Sequence, residues 1–325
     1  MNRLTWMRAL LAGGCALMLA ATAAHAQTFP SKTIRLVVPA AAGGPTDTLG
    51  RILAQIMAEQ SRVPVVVENK AGASGSIGVG AVVQSPPDGY TLLISVPDAI
   101  TVYPQVKKNP PYRGEKDLTP IAMVAGTNYL FVVGAQSPAQ TMKDFAALAK
   151  TKSLSFSSPG AGSSGHIVLE MLRNRLGVEM LHVPYKGAGP ALQAVAAGET
   201  DFSASSPITI KGLVEAGKLR PLAVTSERRN TVLPQAPTMA EAGVPDFVVS
   251  AWFAVFAPAG VPEPLADRLH EMVTKAMRTP EFLNRVNALG LDIDPIGRRE
   301  FAQMISAETG RWKRLIESAN ISVNE

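Results

Sequence analysis

Three segments of this 325-residue chain put Gly, Ser and Ala where a strand gives way to a helix. They are Val37–Asp47 (VVPAAAGGPTD), Glu68–Gly78 (ENKAGASGSIG) and Phe156–His166 (FSSPGAGSSGH). Each follows an apolar or β-branched run and opens an amphipathic stretch. Backbone N–H groups at such a junction sit at the positive end of a helix dipole, where a carboxylate or phosphate is stabilised. One such loop is common, but three predict a cleft for a small anion. The polar candidates are Gly43, Gly44, Pro45, Thr46 and Asp47 in the first loop, and Ser74 in the second. The third supplies Ser158, Gly160, Ser163, Ser164 and His166. Asp47 either caps its helix or accepts from a ligand ammonium or a bridging water. Ser163 and Ser164 read as helix caps with hydroxyls to spare. Downstream, Val183–Pro190 combines Tyr185, able to pack on a ligand and donate its hydroxyl, with Lys186, able to pair with a carboxylate. Asp201 and Ser205 flank a short strand and are expected either in the same cleft or in local turn contacts.

Other chemistries fit less well. Gly160–Gly165 matches the G-x-G-x-x-G spacing of dinucleotide loops. The following strand, however, ends Val183-Pro184-Tyr185-Lys186 and lacks the acid such a fold needs for a ribose. Residues 27–325 contain no G-x-S-x-G elbow. His166 and Glu170 stand four apart, but no third metal ligand follows at a convincing spacing. His182 lies in an apolar strand and reads as core, and His270 lies on a helix face expected to be exposed. No cofactor, metal or catalytic residue is predicted. An exported hydrolase using Ser164 with His166 is the alternative in the enzyme class.

The first 26 residues read as a signal peptide: Arg3 and Arg8, the apolar run Ala9–Ala23, then Ala24-His25-Ala26 before Gln27. Cleavage near Ala26 and a periplasmic location are expected. The only cysteine, Cys15, lies inside that segment, in a weak lipoprotein-like context. Losing Arg3 and Arg8 lowers the formal net charge from +5 to +3. The basic residues are scattered, so nucleic acid is not an expected partner.

From Thr33 onward, strand and helix patterns alternate. Strands are expected at 34–38, 63–67 and 90–96, with helices at 47–60 and 76–84 between them. A long extended stretch, 118–134, carries the chain elsewhere, and a second, 250–257, brings it back. Residues beyond Val261 are mainly helical. The sequence therefore predicts an α/β chain with one domain of 27–124 plus 251–325 and a second, 125–250, inserted between two crossing hinge strands. Crossovers of this kind imply mainly parallel sheets flanked by helices.

In these loops the chain resembles the Bug family, the extracytoplasmic solute receptors of tripartite tricarboxylate transporters. The shared segments are Val38–Asp47, Glu68–Gly78, Pro87–Leu93, Ser157–His166, Val183–Leu192, Gly217–Thr225, Ala236–Gly243 and Ala257–Pro262. The resemblance implies a type II periplasmic-binding-protein fold that closes on a small carboxylate: a di- or tricarboxylate, an acidic amino acid or an aromatic acid. It implies that Gly43, Gly44 and Asp47 grip one carboxylate from the first domain. Ser158, Ser163, Ser164, Tyr185 and Lys186 would act from the second. It also implies a monomeric, non-enzymatic receptor that docks on membrane permease subunits, or on a sensor protein where it serves signalling. Ala40-Ala41-Ala42 departs from the family, where a bulkier residue is usual, and so do Ser74 and Ser76.

Overall fold

A computed structural model describes residues 29–293 and 295–318. The expected signal segment, with Cys15, lies outside the described residues. Strands are β1 (Ile34–Val38), β2 (Val65–Asn69), β3 (Thr91–Ser95), β4 (Leu118–Asn128), β5 (Leu130–Gly134), β6 (Leu154–Ser158), β7 (Met180–Pro184), β8 (Phe202–Ser205), β9 (Leu219–Val224) and β10 (Ser250–Pro258). Helices α1 (Pro45–Ser61), α2 (Ser76–Val83), α3 (Tyr103–Val106) and α4 (Gly114–Asp117) belong to the first half. Then come α5 (Met142–Thr151), α6 (Ser164–Leu176), α7 (Ala188–Ala197), α8 (Pro207–Glu215), α9 (Glu263–Met277), α10 (Pro280–Ala288) and α11 (Arg298–Ser318).

The strands form two five-stranded sheets, ordered β2-β1-β3-β10-β4 and β7-β6-β8-β5-β9. In the first, β1, β2 and β3 are parallel, while β10 runs antiparallel to both β3 and β4. In the second, β6, β7 and β8 are parallel, while β5 opposes both β8 and β9. Four strands of each sheet thus share one direction, as mainly parallel sheets require. The reversed strand is in each case the one that has just arrived from the other sheet. The two halves repeat one topology with no visible sequence repeat.

This arrangement dictates where the loops go. β4 leaves the first sheet at its carboxyl edge and, one residue later, β5 enters the second at its carboxyl edge. The return from β9 to β10 also links carboxyl edges. The long extended stretch breaks at Tyr129, between β4 and β5. Tyr129 is pinned there: its N–H donates to Thr225 Oγ1 at 2.9 Å, and the Thr225 hydroxyl donates to Val249 O at 2.5 Å. Thr225 therefore ties the two crossings together.

Helix α1 buries Leu49, Ile52, Leu53, Ile56 and Met57 against the first sheet. Helix α6 buries Ile167, Val168, Leu169 and Leu172 against the second. The last helix, α11, serves both: Phe301 and Ile305 pack with Val37, Leu93 and Trp252, while Trp312 and Ile316 pack with the cluster around Phe131 and Phe156. Midway along α11, Glu308 accepts from Trp252 Nε1 at 2.6 Å and from Trp312 Nε1 at 3.0 Å. Burial pushes its carboxyl pKa up, against the pull of those two indole N–H groups.

Helix α8 was not expected from sequence. Pro190 lies two residues inside α7, which starts at Ala188. His270 is not free on its face; its Nδ1 lies 2.8 Å from Ile121 O.

Glu308→Ala strands two buried indole donors, a change that costs about 3 kcal/mol, whereas Glu308→Gln keeps an acceptor for one of them. Urea unfolding should show the alanine variant clearly less stable than the glutamine variant. Equal midpoints would mean that the clamp contributes nothing.

Candidate functional site

Loops one and three follow β1 and β6, which hold the same place in their sheets, and they are built alike. Gly43 and Gly162 both have left-handed backbone, with φ of +81° and +72°. The N–H of Gly43 donates to Asp47 Oδ2 at 2.8 Å, and that of Gly162 to His166 Nδ1 at 3.1 Å. In both, the third residue of the helix reaches back four positions to brace its own loop.

The braces are themselves held. Arg51 Nε donates to Asp47 Oδ2 at 3.0 Å and Asn69 Nδ2 to Oδ1 at 2.9 Å. Burial would raise the Asp47 pKa, but the hydrogen bonds from Arg51, Gly43 and Asn69 outweigh it and hold it at about 2. Both carboxylate oxygens are thus spent inside the loop. His166 is buried and stacks on His182, ring centroids 3.8 Å apart, and its Nε2 faces Glu170 Oε1 at 3.6 Å. His182 Nε2 lies 2.7 Å from Ser158 Oγ; burial, then the neighbouring His166, lower its pKa to about 4. His182 is partly buried and part of this brace rather than inert core.

Several groups remain open at these carboxyl edges. The first turn of α1 leaves the N–H groups of Thr46 and Asp47 and the Thr46 hydroxyl without a hydrogen-bond partner among the described residues. Pro45 is the first residue of that helix and Gly44 caps it without a side chain. The second loop carries four consecutive residues with positive φ, Gly72 to Gly75. Ala73 and Ser74 hold this conformation at a cost of about 1 kcal/mol each, and Ser74 is exposed. The Ser205 hydroxyl, at the carboxyl end of β8, is likewise unpartnered among the described residues.

Other candidates are engaged internally. Ser163 caps α6: its hydroxyl accepts from His166 N at 3.2 Å and donates to Gly160 O at 2.8 Å. Ser158 Oγ donates to Gly160 O at 3.1 Å and accepts from Gly160 N at 3.2 Å. The Tyr185–Gly187 turn is stitched to this loop through Tyr185 N to Ser158 O, 3.0 Å, and Gly187 N to Pro159 O, 2.9 Å. The Tyr185 hydroxyl, however, donates to Glu199 at 3.5 Å, and Lys186 is exposed.

Asp201 does not join them. It precedes β8 and accepts from Ser155 N at 2.8 Å and Ser155 Oγ at 3.0 Å, at the start of β6. That is the amino edge of the sheet, about four strand residues or 13 Å from the Gly/Ser loops. The expectation that it shares the cleft is corrected to a local contact. The Ser164–His166 pair of a hydrolase is absent too: Ser164 Oγ lies 2.5 Å from Tyr129 OH, and His166 Nδ1 is taken by Gly162.

Two residues not singled out from sequence complete the cleft. Asp98 follows β3 and reaches the second half, where its Oδ1 accepts from Ser164 N at 3.3 Å. Burial pushes its pKa up, opposed by the Ser164 hydroxyl and N–H. Tyr129, at the crossing, touches the same serine; burial, then the Asp98 charge, push its phenol well above its usual range. The available signal was positional, since an acid just past a parallel strand stands at the carboxyl edge where α/β ligands bind.

Residues 49–321 match the family described as "Tripartite tricarboxylate transporter family receptor". A Pseudomonas sp. (strain P51) protein, "UPF0065 protein in tcbD-tcbE intergenic region", is 35% identical over 321 residues, covering 96% of this chain and 94% of that one. Among solved structures, "R. palustris Rpa4515 with adipate" is 31% identical with a TM-score of 0.82, covering 90% of this chain and 99% of the other. "Structure of periplasmic binding protein BugD" is 32% identical with a TM-score of 0.78 and the same coverage. These neighbours carry the two-domain fold of periplasmic binding proteins; they are solute-binding proteins, not enzymes.

The Asp47 brace has a pH signature. Its folded pKa of about 2 lies below the ordinary 3.8. The carboxylate therefore stabilises the fold fully above pH 3.8, and that contribution, about 2 kcal/mol, fades as pH falls toward 2. Thermal melts of wild type and Asp47→Asn should differ most near pH 6 and converge only as the pH falls to about 2. A gap that stays constant with pH would refute the brace.

Proposed function

We propose a function from one premise: the chain belongs to the tripartite tricarboxylate transporter receptor family. It is an exported receptor that captures a small carboxylate between its two halves in the periplasm and delivers it to a membrane partner. The halves are residues 27–124 with 251–325, and residues 125–250.

The observation that carries this reading is the meeting of the two carboxyl edges at Asp98 and Ser164, 3.3 Å apart. The N-terminus of the 17-residue helix α1 lies on one edge and that of the 13-residue α6 on the other. Thr46 N–H, Asp47 N–H and the Thr46 hydroxyl form a donor set for one carboxylate, reinforced by the α1 dipole. Ser74, Ser164 and Ser205 supply hydroxyls around it. Asp47, Ser158, Ser163 and His166 act as braces that fix the donors, with Gly43, Gly44 and Gly160 shaping the loops. Fixed donors lose little entropy when they meet a ligand, so affinity comes without a buried cation. The adipate-bound relative supports a dicarboxylate, whose two ends would each find one edge. Ligand touching both edges binds only the closed arrangement and shifts the population toward it.

Calorimetry on the mature chain with adipate, citrate, glutamate and benzoate should find at least one ligand at about micromolar affinity or tighter, roughly −8 kcal/mol. The diamide of that ligand should bind at least about a hundredfold more weakly, because amides lack the charge the helix ends attract. Ser164→Ala should lower affinity about tenfold and reveal no turnover in either protein. Absence of binding across the panel, or hydrolysis that Ser164→Ala abolishes, would overturn the assignment.

A further inference from the structure

Outside the cleft, the segment after Asp98 leads to a concave patch of one dominant charge. Residues 98–102 form a single π-helical turn that runs into α3, and the chain then loops through 107–113 into α4. This arm is locked onto the turn at two points. The Tyr112 hydroxyl donates to Ala99 O at 2.6 Å, and Tyr112 is buried. Gly114 lies so close that a Cβ on it would run into the Ile100 carbonyl. The arm and the exposed flank of α11 enclose a groove of about 450 Å³. Lys107, Lys108, Arg113, Lys116 and Lys313 line it, against Glu115 as the single acid. Lys108, Arg113, Lys116 and Lys313 are exposed, and none has an ion-pair partner among the described residues.

Single exposed lysines are ordinarily just solvated. Five cations around one concavity, on an arm held rigid by buried contacts, are a different arrangement. Their mutual repulsion costs stability, Glu115 is the one acid lining the groove against them, and a partner's acids would relieve the excess. We propose that this groove is a docking site for an acidic segment of a protein partner. A protein segment fits better than a membrane surface, because a bilayer presents a flat face to convex patches and the cations here line a recess. The same 98–106 stretch touches Ser164 of the second half at one end and walls the groove at the other. A partner seated there would therefore contact the element that meets the opposite edge of the cleft. The inference does not depend on which carboxylate the cleft takes.

A fluorescein-labelled hexaglutamate peptide serves as the probe, read by anisotropy at about 0.15 M ionic strength. The mature chain should bind it saturably at one site. Lys108→Gln/Lys116→Gln/Lys313→Gln should weaken binding about tenfold or more, with unchanged melting and unchanged affinity for any carboxylate found to bind. The same neutralisation at Lys143, Lys150 and Lys152, exposed on the other half, should change it less than about twofold. Equal losses in the two triple variants would reduce the effect to net charge and overturn the site. So would no loss in the groove variant, or groove-dependent binding to phosphatidylglycerol vesicles with none to the peptide, which would assign the patch to a membrane instead.

Discussion

The one-residue passage from β4 to β5 constrains everything else in this molecule. A strand that runs with its parallel neighbours must end at their carboxyl edge. A strand that enters the next sheet reversed must begin at the carboxyl edge of that sheet. With Tyr129 alone between them, the two edges have nowhere to be but side by side. Every loop following a parallel strand then lies at the same crevice, whatever its sequence separation. Thr225 reinforces the arrangement by bonding both crossings at once. The site is thus a product of topology first and of loop chemistry second.

Loop chemistry then decides what the crevice offers. A buried aspartate and a buried histidine do the same mechanical work in equivalent loops, each reaching back to a glycine N–H. The aspartate is held by Arg51 and Asn69, and the histidine by stacking on His182. Internal bonding uses up the Asp47 carboxylate and most of the serine hydroxyls. What remains open is a small set of donors at helix starts, suited to an anion that brings its own charge. On the proposed reading, the polar residues most conspicuous in the sequence are mostly the frame, and the gripping groups would be backbone.

This division explains which features were legible in advance. Ile34–Val38 could be read to the residue, because a nearly unbroken apolar run marks a buried parallel strand. The loops could be read because glycine and serine clusters between a strand and a helix have few other uses. Asp201 could not be placed, since an acid beside a short strand looks the same at either end of it. Only register separates the edges, and register is set by β6 and β8 pairing over long range. Asp98 was missed for a related reason: a single acid after Pro97 carries no motif. Arg51 was within reach, standing four residues after Asp47 on one helix face.

Asp98 also bears on how the cleft works. Its carboxylate rests at the start of α6, on the kind of donor a ligand carboxylate would seek. The two halves are therefore not equivalent as anion sites, although their loops are. The α1 end is open, while the α6 end already donates to a carboxyl oxygen supplied by the first half. A carboxylate arriving at α6 has to displace Asp98 or share Ser164 with it, and the burial that pushes the Asp98 pKa up disfavours a charge there. The easier arrangement puts the ligand's carboxylate at Thr46 and Asp47 N–H, and presents a hydroxyl or ammonium toward Asp98. The contact that joins the halves would then also help to choose what is held between them.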